Sequence, residues 1–190
     1  MRSPLSTLAA LALTLATVAT GATVAVGGAA GAATARHASE VMTIITTGTL
    51  AGAGEQPKFT NSSWTVRRNE RVTLTIISYD DGTAPLMGMN MRDAMVAGTT
   101  NGTETVNGTT TGMVPDIDIA HTFTVRALGL NVAIPAAPTG GHVTVRATFV
   151  AHRSGTFVWR CLAPCGSGAT GMAGAMSTTH WMMGRIKVVA

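Results

Sequence analysis

The chain has 190 residues, 46% of them hydrophobic and only 12% charged, with a formal net charge of +4. Its arginines are scattered and aromatics make up 4%, so no basic tract is interleaved with aromatics and nucleic-acid binding is excluded. The plain account of so modest a charge is solubility.

Arg2 is the only charged residue before Arg36, and Leu8 to Gly27 consists of Ala, Leu, Val, Thr and Gly. Ala33-Thr34-Ala35 follows, an A-x-A pattern directly before Arg36. A positive start, an apolar centre and small residues at the end describe a secretory signal over residues 1–35. The alternative is an uncleaved membrane anchor through residues 5–27, since a span needs about 20 apolar residues. Either way the expected location is extracytoplasmic: secreted, periplasmic or on the outer face of the cell membrane. No cysteine lies near the N-terminus to carry a lipid.

Residues 36–190 are enough for one domain with a real core. Thr, Gly, Ala and Val are frequent, which favours an all-β domain. Val41 to Thr47 is β-branched and stops at Gly48. Val72, Leu74 and Ile76 alternate with Thr73, Thr75 and Ile77. Ile117 to Val125 is a further strand. Val143, Val145, Ala147 and Phe149 alternate with Thr144, Arg146 and Thr148, and Phe157 and Trp159 alternate with Thr156, Val158 and Arg160. Met183 to Val189 closes the chain. Such period-two runs, separated by turn signals at Asp80-Asp81-Gly82 and Thr139-Gly140-Gly141, predict an antiparallel β-sandwich.

An insertion is expected at 79–115, its Gly/Thr/Asn-rich second half from Gly98 to Gly112 forming a mobile hairpin or loop. Its Met87, Met89 and Met91 share one face of an extended chain, a soft donor set for Cu(I) or, more plainly, a hydrophobic edge. Asn61, Asn101 and Asn107 each open a glycosylation triplet, a pattern that Thr-rich chains produce by chance.

Cys161 and Cys165, separated by three residues, are the only cysteines. In an exported protein such a pair most often forms a disulfide. His121, on a strand-like run, would then be an ordinary hydrogen-bonded residue. Thiolate, imidazole and thioether are also the ligands of copper electron-transfer sites, and Met172, His180, Met182 and Met183 follow the cysteines.

Ile117 to Phe123, then Ala127 to Val132 with Ile134-Pro135, then Gly155-Thr156-Phe157, then Cys161 to Gly166 form an ordered, collinear series. Over the C-terminal half, Asp116 to Val189, the chain resembles the extracytoplasmic domain of cytochrome c oxidase subunit II. That resemblance implies a cupredoxin, a Greek-key β-sandwich carrying a copper A centre. By it, His121, Cys161, Cys165 and Met172 match ligand positions, and Ala163 offers the coordinating backbone carbonyl. Ala169 stands where the family has its second His. The matching residues form a full set for one copper and lack the second copper's imidazole. His180-x-x-Met183 restores a second pair if the intervening segment loops out, so one copper or two both stand. The two-helix membrane hairpin of the family is missing.

The expectation is therefore an all-β, cupredoxin-like Greek-key β-sandwich at 36–190, binding copper and transferring single electrons to a redox partner protein. No Ser/His/Asp order, phosphate loop or zinc motif is present, so an electron carrier or oxidase-subunit-like domain is expected rather than a stand-alone enzyme. Two alternatives remain: a copper carrier or chaperone, and a metal-free, disulfide-stapled sandwich that binds another exported protein.

Overall fold

The computed structural model describes residues 36–49, 55–86, 91–165 and 174–190, which belong to one compact unit. The expected leader at 1–35, and Met87, Met89 and Met172, lie outside the described residues. Among these residues there is no α-helix, and no helix is long and apolar enough to cross a membrane.

Two sheets carry the fold. The first contains β1 (His37–Thr49), β2 (Glu55–Phe59), β4 (Arg71–Ser78), β5 (Thr99–Val106), β6 (Thr109–Thr111) and β9 (Val143–Val150), in the order β2-β1-β4-β9-β5-β6. The second contains β3 (Ser63–Arg67), β7 (Ile119–Val125), β8 (Leu130–Pro135), β10 (Gly155–Arg160) and β11 (Met183–Val189), in the order β3-β11-β10-β7-β8. The pairs β1–β4 and β3–β11 are parallel and the other ladders antiparallel. The chain crosses between sheets after β2, β3, β6, β8 and β9. Those crossings make a Greek-key β-sandwich.

Alternation explains the core. On β4, Val72, Leu74 and Ile76 are buried while Arg71 is exposed. On β9, Val143, Val145, Ala147 and Phe149 face the same interior. The second sheet answers with Trp64, Phe123, Trp159 and Ile186. Phe59 and Trp159 meet edge to face with centroids 4.8 Å apart, and Phe123 lies 5.1 Å from Trp159. One residue cannot carry a side chain there. A Cβ on Gly184 would overlap the Ser62 carbonyl oxygen, which accepts the Trp159 indole N–H at 3.0 Å. Gly184 thus lets the indole bond through the sheet.

The segment expected as an insertion is partly structural. Asn107 and Gly108 both take left-handed backbone (φ 49° and 86°), the geometry of a tight hairpin turn between β5 and β6. β5 pairs along β9 and so forms part of the first sheet. Strands β2, β3 and β8 carry no strand signal in the sequence reading above. Pro57 sits in β2, an edge strand, where a missing N–H is tolerated.

Candidate metal centre

Strand parity places the first cysteine. Trp159 points inward from β10 and Arg160 outward, so Cys161, one residue past the strand, points inward again. Its N–H donates to the Met182 carbonyl at 2.8 Å, extending the β10–β11 ladder by one step. The same rule puts His121 on the inner face of β7, two residues before Phe123. The two strands are stitched at this end. The Leu162 N–H donates to Thr122 Oγ1 at 2.8 Å, and the Thr122 N–H donates to Cys161 Sγ at 3.4 Å.

After Cys161 the chain turns tightly. The Cys165 N–H donates to the Ala163 carbonyl at 2.7 Å, and that oxygen lies 3.6 Å from Cys161 Sγ. The turn brings Cys165 Sγ to 3.3 Å from Cys161 Sγ, both as free thiols. His121 Nδ1 lies 4.0 Å from Cys161 Sγ. The ligand atoms of His121, Cys161 and Cys165 all lie within 4.8 Å of one another, and all three residues are buried. A tetrahedral ion with bonds of about 2.0–2.3 Å holds its donors roughly 3.3–3.8 Å apart. The sulfur–sulfur separation lies at the lower end of that range and the His121 nitrogen slightly beyond it, so a small thiophilic ion fits after a minor adjustment of the imidazole.

Asp80 completes the arrangement. Its Oδ2 lies 2.8 Å from His121 Nε2, and its Oδ1 accepts the Gly82 N–H at 3.0 Å. Sequence reasoning assigned Asp80 to a turn. The turn exists, and the second oxygen of the same carboxylate orients the histidine. Phe59 stands edge-on to the imidazole with centroids 6.3 Å apart, closing the apolar side of the site.

The protonation states follow from these contacts. Burial alone would lower the pKa of His121, but the bonds to Asp80 and Cys161 outweigh it and raise the imidazole to about 9. Burial would raise Cys161, yet the bond from Cys165 and the facing His121 hold its thiol well below the ordinary value. Cys165 moves the other way, pushed well up by its bond to Cys161 and by burial. For Asp80, burial opposes ionisation, but the His121 bond and charge keep the carboxyl below its ordinary value. The two shifts favour the charged forms of Cys161 and His121, which face each other.

Of the remaining expected ligands, Met172 lies outside the described residues, and His180 and Met183 lie elsewhere. His180 is exposed, and its Nδ1 lies 2.9 Å from Ser62 Oγ. Met183 pairs with Arg160 across the β10–β11 ladder. That register puts Met183 on the side of Arg160, the outer face, opposite the side to which Cys161 points. His180 and Met183 together line a surface groove with Arg160 and Arg185. Met182, by contrast, is a buried core residue.

No protein family's model matches the chain, and no curated protein matches it. Several solved structures bear a faint likeness. Reduced rusticyanin is 12% identical with a TM-score of 0.38, covering 81% of this chain and 80% of its own. A second structure, of the copper protein rusticyanin, is 16% identical with a TM-score of 0.36, covering 81% and 78%. Rusticyanin from Thiobacillus ferrooxidans is 14% identical with a TM-score of 0.30, over 81% and 78%. None of these likenesses assigns a role to a residue of this chain.

Proposed function

We propose that this is an extracytoplasmic, cupredoxin-like copper protein that transfers single electrons. The observation that carries the reading is the buried triad of Cys161, Cys165 and His121, with donor atoms within 4.8 Å of one another at one end of a β-sandwich. Two sulfurs and one imidazole select a soft or borderline ion, and copper is a redox-active member of that class. Bound there, copper supplies a one-electron couple.

The chain supplies everything else. Strands β7 and β10 fix His121 and Cys161 on rigid elements, so the donor geometry does not have to form anew with each change of charge. The Cys161–Cys165 turn holds the second sulfur and aims the Ala163 carbonyl at the first. Asp80 accepts from Nε2 of His121 and so presents Nδ1 toward the sulfurs, the usual outer partner of a metal-bound histidine. Phe59 and Trp159 exclude water from the inner side. Burial of all three donors suits an ion kept in place rather than one handed on.

A single ion is the stoichiometry this set supports. A second copper needs a second imidazole, and residues 166–173 contain no histidine. His180 is the nearest in sequence, and its ring is engaged with Ser62. The test is anaerobic loading of the reduced protein with copper, followed by one-equivalent oxidation. Intense visible absorption from thiolate–copper bonding is expected at one copper per chain, and Cys161→Ser should abolish it. A colourless product with both cysteines in a disulfide would refute the reading.

A further inference from the structure

The five strands of the second sheet contain four Arg or Lys residues, Arg67, Arg160, Arg185 and Lys187, and no carboxylate. All four are exposed. Register gathers all four onto one face, Arg67 through its pairing with Val189, which has the parity of Arg185 and Lys187. Val158 stands opposite Arg185 and Thr156 opposite Lys187, while Arg160 stands opposite Met183 on the same side. Arg126 and Arg153 flank this face from the adjoining turns, and Arg153 lies over the Phe157 ring at 5.7 Å. The chain's nine carboxylates lie on the other sheet or in turns. Two approach: Asp93 is 4.0 Å from Arg126, and Glu70 Oε2 accepts the Arg67 N–H at 2.9 Å at the β3 edge.

The face is not uniformly polar. A groove of about 370 Å³ runs along it, with Val158 and Leu162 on its floor and Arg126 and Arg160 at its edge. Val158 is 46% exposed. An apolar trough bordered by arginines has the anatomy of a protein–protein contact, with an apolar centre, a polar rim and arginine enriched. A polyanion such as nucleic acid or a sulfated sugar needs the charges but has no use for the trough. The trough's end residue, Leu162, directly follows Cys161.

We infer that the outer face of the second sheet docks an acidic protein partner, with an apolar contact seated against Val158 and Leu162 and carboxylates facing Arg126, Arg160 and Arg185. On the copper reading above, which this inference extends, that partner is the protein that exchanges electrons with the site. Cys161 would then be covalently one residue away from the docked surface on either side.

The test titrates the 15N-labelled, reduced, metal-free protein with a c-type cytochrome of net negative charge. Amide shifts are expected on β10, β11 and Leu162, with binding weakened at least tenfold by 0.5 M salt and by the Arg160→Glu, Arg185→Glu double variant. A cytochrome of net positive charge should leave the same amides unmoved. Val158→Ser, which keeps every charge, should weaken binding too. Shifts confined to other surfaces, no binding, or equal binding of heparin or anionic phosphatidylglycerol vesicles through the same residues would overturn the inference. The copper reading is scored apart, by electron exchange between the copper-loaded protein and the same cytochrome. Docking without exchange sinks the copper reading and leaves the docking face, whereas salt-insensitive exchange with no shifts on this face does the reverse.

Discussion

One carboxylate joins a turn to a histidine: Asp80 Oδ1 accepts the Gly82 N–H at 3.0 Å while Oδ2 lies 2.8 Å from His121 Nε2. The turn thereby fixes the carboxylate, and the carboxylate fixes the imidazole. Asp80→Ala should leave the three metal donors in place but free the ring to rotate. Copper affinity should fall by roughly 10–100-fold, the usual cost of losing an outer partner of a histidine ligand. A competition titration against a Cu(I) chelator measures it. Unchanged affinity would show that the ring is held by packing alone.

His180→Ala and Met183→Leu should leave the copper content and the visible spectrum unchanged. The ring of His180 is bonded to Ser62, and Met183 sits opposite Arg160 on the outer face. Metal analysis per chain decides the point. Loss of half the copper in His180→Ala would mean that the segment after Cys165 folds this imidazole into a second site.

Glu104 gives a pH signature independent of any metal. It is buried on β5, where Oε2 accepts the Ala133 N–H of β8 at 3.2 Å and Oε1 has no hydrogen-bond partner among the described residues. Burial outweighs that one bond and raises its carboxyl to about 8. The folded state therefore keeps a proton that the unfolded state loses above its ordinary value of 4.5. Stability should fall as pH rises from about 4.5 to about 8, by at most about 1.4 kcal/mol per pH unit, and then level off. Glu104→Gln removes the charge and keeps an acceptor. Denaturant unfolding across this window should show the variant less pH-dependent and more stable than the parent above pH 8. Parallel curves for the two proteins would contradict the assignment.

Gly184→Ala tests the contact behind the cysteines. The added methyl would collide with the Ser62 carbonyl and the Trp159 indole, which are bonded at 3.0 Å. The backbone of β11 has to shift, at a cost of about 1–3 kcal/mol. Urea unfolding reads the loss directly, and a neutral result would mean that β11 yields easily at this point.

How much of this was legible in the sequence depends on where the cause lies. Strands β4, β9, β10 and β11 announce themselves through strict alternation, because each buries one face only. The cysteine pair and His121 were legible as candidate donors through their residue types together with the collinear family resemblance, since residue type alone favours a disulfide. Strand β2 was hidden by Pro57, which an edge strand accepts and a propensity reading does not. Strand β5 was hidden by Thr, Asn and Gly, residues that signal a loop until β9 is seen to pair with them. Asp80 was read as a turn residue, and its partnership with His121 spans 41 positions that no local pattern connects. His180-x-x-Met183 suggested a ligand pair by spacing. Only the β10–β11 register reveals that Met183 lies on the face opposite the one Cys161 uses.

The most direct measurement is X-ray absorption at the copper edge of the loaded protein. The account predicts one copper per chain, with two sulfur neighbours and one imidazole nitrogen in its nearest shell and loss of sulfur scattering in Cys161→Ser and Cys165→Ser. A shell of nitrogen and oxygen alone, unchanged by either cysteine substitution, would contradict it.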